Sequence, residues 1–284
     1  MLQNFSLHTH TVGFDGRNTV ADMAQSAATR GMGAIGISNH FIVHPDIKKS
    51  RFYPRAATIG YANIYQTSFD DAIRNFRAHY DEIASVSKSQ NIPILRGMEM
   101  DYFDTDDWHR GYARMLRELQ PDYVIGTCHF IDYHGRLCNV HDIANADAAE
   151  RDKMLAMYWS KIEQASRSGL FSFMAHLDLP KKVGVGREEK WHDTERRVVE
   201  TLSKNNTPIE INTSGIPRNG TPYPGENILS HASRVNLPVV ISDDAHSSDH
   251  IGRHFDTAER LISQYNLSNR LNLQKILAFS NKTL

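Results

Sequence analysis

In the stretch Phe5-Ser6-Leu7-His8-Thr9-His10, a short apolar run passes directly into two histidines. Side chains of an extended segment alternate with a period of two, so the two imidazoles lie on the same side and can bind one ion. A strand end is a rigid place from which to aim a ligand, and a metal site needs several ligands aimed at one point. The stretch therefore predicts a buried strand that ends at a metal site.

The same arrangement, an apolar run followed by a side chain that can bind a metal, recurs along the chain. Together with Asp15 in a loop, the set is His8, His10, His40, Glu99, His129, His176, Asp244 and His246. Histidine and carboxylate ligands without thiolates are typical of Zn, Fe or Mn, and the pattern does not choose among these metals. A carboxylate such as Glu99 has two oxygens and can bridge two ions, which an imidazole cannot do. The set therefore predicts a multinuclear metal centre.

Strand-like and helix-like segments alternate along the chain. We predict strands at residues 5–8, 33–38, 94–98, 123–127, 171–175, 208–212 and 239–242. We predict helices at residues 19–30, 65–90, 108–119, 146–168 and 193–204. This alternation indicates a parallel sheet, and ligands at each strand end favour closure into a ring over an open doubly wound sheet. No repeat or linker marks a second domain, so we expect one domain over residues 1–284.

Composition limits the classes of function. The 284 residues carry a formal net charge of −1, so no basic field gathers nucleic acid or an anionic membrane. The N-terminus lacks the basic and apolar regions of a signal peptide, and no window reaches the ~18 apolar residues of a membrane span. We therefore expect a cytoplasmic protein with neither nucleic acid nor membrane as partner. Its oligomeric state is left open.

The two cysteines, Cys128 and Cys138, are too few for a disulfide framework. Cys128 lies in an apolar strand-like run beside His129, and we expect a buried thiol there rather than a metal ligand.

The chain resembles the PHP (polymerase and histidinol phosphatase) superfamily over nearly its whole length. Within that superfamily it resembles the monofunctional histidinol-phosphate phosphatase branch. The stretches that carry the resemblance are His8-Thr9-His10, Asp15, Ser38-Asn39-His40, Gly97-Met98-Glu99-Met100-Asp101-Tyr102, Asp122-Tyr123-Val124-Ile125-Gly126-Thr127-Cys128-His129-Phe130, Ala175-His176-Leu177-Asp178-Leu179, Asn212-Thr213-Ser214-Gly215 and Ser242-Asp243-Asp244-Ala245-His246. The resemblance implies an α/β fold, a distorted (β/α)7 TIM-like barrel with a trinuclear metal site at the C-terminal ends of its strands. Closure would bring the first and last stretches side by side.

The resemblance also divides the ligands among three divalent ions. The first ion would be bound by His8, His10, Glu99 and Asp244. The second would share Glu99 and add His129 and His176. The third would be bound by Asp15, His40 and His246. Every ligand type is present, so the catalytic apparatus is expected to be complete, with Glu99, Asp244 and His246 as its catalytic residues.

This centre predicts a metal-dependent phosphomonoesterase. A water molecule bound between metal ions is acidified towards a pKa of ~7, and the hydroxide it supplies can attack phosphorus while the ions hold the phosphoryl oxygens. We expect a small phosphorylated metabolite as substrate. The resemblance makes L-histidinol phosphate the first choice, with L-histidinol and phosphate as products. Loops at residues 44–59 and 213–225 would select it.

Cationic side chains in loops at the same face are candidates for binding the phosphate, although each could be a solvated surface cation: Arg218, Arg253, Lys181 and Lys182. Arginine offers phosphate a bidentate fork, whereas lysine is a point charge. His250 and His254 follow His246 and could protonate the leaving alkoxide, as could a metal-bound water. Asp178 and Asp243, each beside a ligand, could orient imidazoles or could equally be plain carboxylates of a loop or a strand end.

Three alternatives stay open. The first is another phosphoester hydrolase of the same metal class, such as a phosphodiesterase, an exonuclease or a phosphotyrosine phosphatase. The net charge of −1 disfavours a nuclease, which needs a cationic track with stacking aromatics. The second is a metal hydrolase acting on carbon–nitrogen bonds, which the Glu99 and Asp-Ala-His signatures fit less well. The third is a non-catalytic metal-binding or sensing module, which we would expect to lack one or two ligands.

Overall fold

Strands and helices alternate through residues 2–280, the part of the chain that the computed structural model describes. The strands are β1 (Phe5–Ser6), β2 (Ala34–Ile37), β3 (His40–Val43), β4 (Tyr65–Gln66), β5 (Ile94–Asp101), β6 (Tyr123–Thr127), β7 (Phe130–Tyr133), β8 (Arg136–Asn139), β9 (Phe173–Met174), β10 (Ile209–Asn212) and β11 (Val239–Ser242). The helices are α1 (Val20–Thr29), α2 (Tyr53–Thr58), α3 (Phe69–Ser87), α4 (Asp106–Leu119), α5 (Val140–Asn145), α6 (Ala148–Ser168), α7 (His192–Lys204), α8 (Ile216–Asn219), α9 (Glu226–Arg234), α10 (Phe255–Gln264) and α11 (Leu273–Ser280). Short 3-10 helices cover Ile47–Lys49, Ala62–Ile64, Leu179–Val183, Glu189–Trp191, Thr213–Gly215 and Ser248–His250.

Parallel strands form a nearly closed barrel. The sheet runs in the order β1-β2-β5-β6-β9-β10-β11. Its two ends meet at a parallel bridge between Thr9 and Ala245. There the amide of His10 donates to the carbonyl of Ala245 at 2.8 Å, and the amide of Ala245 donates to the carbonyl of His8 at 3.1 Å. The predicted TIM-like barrel is therefore confirmed, and its first and last ligand stretches share a wall.

Tyr123 fills the middle of the barrel. Its side chain is fully buried, and its hydroxyl donates to the carbonyl of Leu7 on the opposite wall. A Cβ atom at Gly36 would lie 2.1 Å from the Tyr123 hydroxyl oxygen, and one at Gly97 would lie 2.2 Å from Cζ of the ring, so glycine is required at both positions. The barrel is a packed core rather than a pore, and the strand-end ligands stand above this apolar floor.

The helix predicted at residues 65–90 begins later than expected. Tyr65 and Gln66 pair with β3 as the short parallel strand β4. The helix α3 starts only after Ser68, whose hydroxyl accepts from the Asp71 amide at 3.3 Å as an N-cap. The helical spacing of apolar residues extends into this strand, and strand pairing overrides it there.

The loop predicted after Thr127 contains an antiparallel hairpin, β7–β8. Its turn is closed by the amide of Gly135, which donates to Asp132 Oδ1 at 2.9 Å, and His134 and Gly135 both adopt positive φ. The sequence signal for this turn is only His-Gly, which is weaker than the Asn-Gly or Asp-Gly pairs typical of hairpins.

Within residues 2–280, no helix is long and apolar enough to cross a membrane. The single domain predicted over residues 1–284 stays a prediction, and residues 1 and 281–284 lie outside the described residues.

Candidate metal centre

The structure brings all the predicted ligands together at the C-terminal end of the barrel. They form four overlapping groups within which the ligand atoms lie within 4.8 Å of one another. The groups are His10, Asp15, His40 and His246; His8, His10 and Asp244; His8, Glu99 and His176; and His40, Glu99 and His129. Because the groups share members, they form one continuous array.

Glu99 is the hub of this array. Its carboxylate is fully buried at the end of β5. The nitrogen atoms around it are His40 Nδ1 at 2.7 Å, His176 Nε2 at 2.8 Å, His8 Nε2 at 3.3 Å, His129 Nε2 at 3.5 Å and His10 Nε2 at 3.7 Å. A carboxylate in such surroundings can serve ions on both of its oxygens.

Two more carboxylates extend the array on either side of His10. Asp244 Oδ1 lies 3.2 Å from His10 Nε2, and Asp15 Oδ1 lies 3.4 Å from His10 Nδ1. Asp15 Oδ2 also lies 3.1 Å from His40 Nε2 and 3.2 Å from His246 Nε2. The array therefore contains three carboxylates, those of Asp15, Glu99 and Asp244.

The chemistry of this donor set fits divalent cations. Buried atoms of the array that have no hydrogen-bond partner are His8 Nε2, both ring nitrogens of His10, Asp15 Oδ1, His40 Nδ1, Glu99 Oε2 and His176 Nδ1. Burying a polar atom without a partner costs free energy. Imidazole nitrogens and carboxylate oxygens are both lone-pair donors, and a Zn, Fe or Mn ion satisfies several of them at once.

The mutual attraction of carboxylates and imidazoles keeps the ligand carboxylates ionised. Burial alone would raise the pKa of Glu99, but the surrounding histidines, His40 first, hold that pKa well below its usual range. Burial opposes ionisation of Asp15 and Asp244 in the same way, and neighbouring histidines hold each pKa well below its usual range. Burial alone would lower the pKa of His8 and His40, but the neighbouring carboxylates hold each of these pKa values well above its usual range. The carboxylates are therefore ionised, and a divalent ion that binds here takes the place of protons on the histidines.

Glu210 orients one side of the array, and sequence reasoning missed it. This residue of β10 is fully buried, and His8 Nδ1 donates to its Oε2 at 2.9 Å. Its Oε1 accepts from the His176 amide at 2.9 Å and from Asn212 Nδ2 at 2.6 Å, and Ser242 Oγ donates to Oε2. The bond to Nδ1 leaves His8 Nε2 free to bind a metal.

Asp101 performs the same role for His129. Its Oδ2 accepts from His129 Nδ1 at 2.8 Å, and its Oδ1 accepts from the His129 amide at 3.0 Å. His129 Nε2 is thereby turned towards Glu99. A signal for it was present, because a residue two positions after Glu99 on one strand lies on the same face.

Of the two roles that the sequence left open for Asp178 and Asp243, the contacts fit plain carboxylates, since neither makes a hydrogen bond to an imidazole of the array among residues 2–280. Asp178 Oδ2 accepts from the Gly225 amide at 2.8 Å and lies 3.0 Å from Lys181 Nζ. Asp243 accepts from Ser6 Oγ at 2.7 Å and from the Gly252 amide, and burial raises its pKa to about 6. These contacts connect loops and a strand to one another and involve no imidazole of the array.

The four candidate phosphate-binding cations have different surroundings. Arg253 is half-buried, and its Nε atom is buried without a hydrogen-bond partner among residues 2–280. Arg218 and Lys182 are exposed. Burial is the largest cause that lowers the pKa of His141, and the positive charges of Lys182 and Arg218 lower it further. Lys181 Nζ lies 2.6 Å from Glu195 Oε1 as well as beside Asp178, so its charge is already neutralised.

The two histidines that follow the array do not offer an obvious acid. Burial first, and then the charge of Arg253, lowers the pKa of His250, so its imidazole is mostly neutral at pH 7. His254 lies at positive φ as the N-cap residue of α10 and is half-buried. Protonation of the leaving group by either residue stays a prediction.

The fold and this array define an α/β-barrel protein with a candidate divalent-metal centre at its strand ends. Within that class, the sequence profile of the PHP domain matches residues 5–214, which is more than half of the chain. The chain therefore belongs to the PHP domain family, and the resemblance seen in its sequence is confirmed.

Two curated proteins, each named "Probable histidinol-phosphatase", are similar in sequence. The protein from Deinococcus radiodurans is 26% identical over 172 residues, which cover 60% of this chain and 64% of that protein. The protein from Thermotoga maritima is 33% identical over 97 residues, which cover 34% of this chain and 42% of that protein. In these matches the chain spans less than two thirds of the length of either relative.

Two solved structures share the fold. A candidate histidinol phosphatase from Listeria monocytogenes has a TM-score of 0.71 at 21% identity, over 89% of this chain and 99% of that chain. The histidinol phosphate phosphatase of Lactococcus lactis, whose structure contains Zn, L-histidinol and phosphate, has a TM-score of 0.61 at 14% identity, over 95% of this chain and 96% of that chain. At these identities the likeness establishes the barrel fold.

Proposed function

We propose that the protein is a metal-dependent phosphomonoesterase that hydrolyses L-histidinol phosphate to L-histidinol and phosphate. The observation that carries the proposal is the convergence of six histidines and three carboxylates on one array centred on Glu99. Membership of the PHP family supports it, as do the two relatives named for this activity.

The array would hold three divalent ions, of Zn, Fe or Mn. The first would be bound by His8, His10, Glu99 and Asp244, the second by Glu99, His129 and His176, and the third by Asp15, His40 and His246. Two of the four ligand groups agree with this division, since one contains Asp15, His40 and His246 and another contains His8, His10 and Asp244. The other two groups both contain Glu99, and one of them includes His176 and the other His129, so Glu99 is the residue that would link these two histidines. When bound, the ions would acidify a water molecule towards neutral pH and draw charge from the phosphoryl oxygens.

The residues of the chain would position these groups and bind the substrate. Glu210 and Asp101 hold His8 and His129 with one ring nitrogen towards the array. The unpartnered Nε of Arg253 supports a role for this guanidinium in binding phosphoryl oxygens. Arg218 and Lys182 are less buried and would contribute long-range attraction, whereas the ion pairs of Lys181 favour a structural role for that lysine.

The test is steady-state phosphate release by protein whose metal content has been counted. The substrates are L-histidinol phosphate, p-nitrophenyl phosphate and bis(p-nitrophenyl) phosphate. We expect the highest kcat/KM for L-histidinol phosphate. Preference for the bis-ester would replace the proposal with a phosphodiesterase, and hydrolysis of p-nitrophenyl phosphate alone would retain the phosphatase and remove L-histidinol phosphate as its substrate. No turnover by metal-loaded protein would overturn the proposal altogether.

A further inference from the structure

A lysine in the middle of α6 is buried beside the array. Lys161 is only 9% exposed, although lysine is rarely buried without a partner. Its Nζ atom donates to the carbonyl oxygen of Phe130, lies 3.6 Å from Asp101 Oδ1 and lies 3.7 Å from the centre of the Phe103 ring. The ammonium group is therefore held by a carbonyl, a carboxylate and an aromatic face.

These contacts connect Lys161 to a candidate ligand that it does not touch. Asp101 is fully buried, and both of its oxygens contact His129, one at the ring and one at the amide. Lys161 lies next to the oxygen that accepts from the amide. It thus fixes the carboxylate whose other oxygen determines the orientation of the His129 ring.

The counterpart of Asp101 on the other side of the array has a different set of donors. Glu210 is surrounded by neutral donors, the Asn212 amide, the Ser242 hydroxyl and a backbone amide, in addition to His8. Within residues 2–280, Asp101 receives no hydrogen bond from a hydroxyl or a side-chain amide. Asp101 instead accepts from the ring of His129 and from the backbone amides of His129 and Phe130. The ammonium group of Lys161 adds a positive charge beside this fully buried carboxylate, where Glu210 has a hydroxyl and a side-chain amide.

We propose that Lys161 is a positioning residue of the metal centre, acting through Asp101 to hold His129 in its metal-binding orientation. The inference rests on the proposed metal-dependent function. It assigns to Lys161 an effect on the ion bound by Glu99, His129 and His176, and no effect on the ion bound by Asp15, His40 and His246. Partners of metal-binding histidines typically change metal affinity by about 10–100-fold when removed.

The experiment measures metal binding rather than turnover. The full chain is freed of metal and titrated with Zn²⁺ and Co²⁺ against a chelator of known affinity, with stoichiometry counted by mass spectrometry and the Co²⁺ sites followed by absorption. The variants are Lys161→Met, Asp101→Asn and the double variant. Lys153→Met, an exposed lysine of the same helix, is the matched control. We expect Lys161→Met to weaken one ion by about 10–100-fold and to alter its Co²⁺ spectrum while the other ions bind as before.

The double variant tests the route of the effect. If Lys161 acts through Asp101, the double variant binds no more weakly than Asp101→Asn alone. Additive losses, or wild-type binding by Lys161→Met, would overturn the inference. Should Lys161→Met fail to fold, Lys161→Gln removes the charge and retains a donor for the Phe130 carbonyl, and the same outcomes apply. If the wild-type chain binds no ions, the proposed function fails. If the wild-type chain and the Lys161→Met variant bind all ions with the same affinity, only the role of Lys161 is removed.

Discussion

His40 Nδ1 lies 2.7 Å from Glu99 Oε2, and both atoms are buried without a hydrogen bond. An ionised carboxylate at this distance from an imidazole attracts a positive charge, which either a proton on the ring or a divalent ion lying against both atoms supplies. His10, between Asp15 and Asp244, repeats the arrangement with both of its ring nitrogens. Burying such polar atoms without a partner costs free energy, and a bound divalent ion removes that cost. The arrangement at the C-terminal end of the barrel therefore favours metal binding.

Replacement of Glu99 by glutamine should disable the centre while leaving the barrel folded. Glutamine has the same shape but lacks the charge, and its amide nitrogen would face imidazole nitrogens that bind metals. We expect fewer bound ions per chain and a kcat/KM lower by about 10²-fold or more. Metal counting and phosphate release measure the two effects. Glu150→Gln, at an exposed position of α6, is the control, and a Glu99→Gln variant with wild-type metal content would contradict the hub assignment.

The barrel could be predicted from sequence because its strands are apolar runs followed by polar ligands. The parallel bridge between Thr9 and Ala245 lies between His8-Thr9-His10 and Asp244-Ala245-His246, the two stretches expected to share a wall. The hairpin β7–β8 could not be read, since its turn has no strong signal and its residues lack a regular alternation. The start of α3 was also misplaced, because pairing of β4 with β3 depends on residues more than twenty positions away.

The ligands could be predicted, and the position of Asp101 two residues after Glu99 gave a signal for one residue that orients them, but Glu210 and Lys161 could not be predicted. Glu210 is a single carboxylate inside the apolar run Ile209–Asn212, and sequence alone does not distinguish it from an edge-strand glutamate. Asp243 directly precedes Asp244, and adjacent side chains of an extended segment point to opposite faces. Asp178 lies beyond the end of β9, at the start of the 3-10 helix Leu179–Val183, where the alternation of a strand does not apply. Lys161 meets Asp101 from sixty positions away, and such a contact leaves no local pattern.

Replacement of Glu210 by glutamine should weaken metal binding without touching a proposed ligand. The carboxylate accepts from His8, His176, Asn212 and Ser242, whereas a glutamine amide nitrogen cannot accept and would oppose some of these donors. Each buried donor left unsatisfied costs about 1–3 kcal/mol, so the thermal midpoint should fall together with metal affinity. We expect metal affinity to drop by about 10–100-fold. Chelator competition measures the metal affinity, and thermal unfolding measures the midpoint. Glu188→Gln, at an exposed position, is the control. Unchanged metal affinity would make Glu210 a purely structural residue.

Replacement of Arg253 by alanine should mainly raise KM for a phosphate monoester. Arg253 is half-buried, and its Nε has no hydrogen-bond partner within the described residues, so no protein acceptor competes for that N–H group. A hydrogen bond to a charged group contributes about 1.5–3 kcal/mol, which corresponds to a 10–100-fold increase in KM. Inhibition by inorganic phosphate should weaken in parallel. Arg260→Ala is the control, because Arg260 is exposed and pairs with Asp256; kinetics equal to that control would return Arg253 to the role of a surface cation.

Both thiols should be unreactive in the folded protein. Cys128 and Cys138 are each 1% exposed and form no disulfide. Burial raises the pKa of Cys128 to about 12, and burial also raises the pKa of Cys138. The thiolate is the reactive form, and for a pKa of about 12 only about one Cys128 side chain in 10⁴ is ionised at pH 8. A disulfide reagent at pH 8 should therefore label neither residue in the native protein and both after unfolding in denaturant. Rapid labelling of Cys128 in the native state would show instead that the strand end beside His129 opens to solvent.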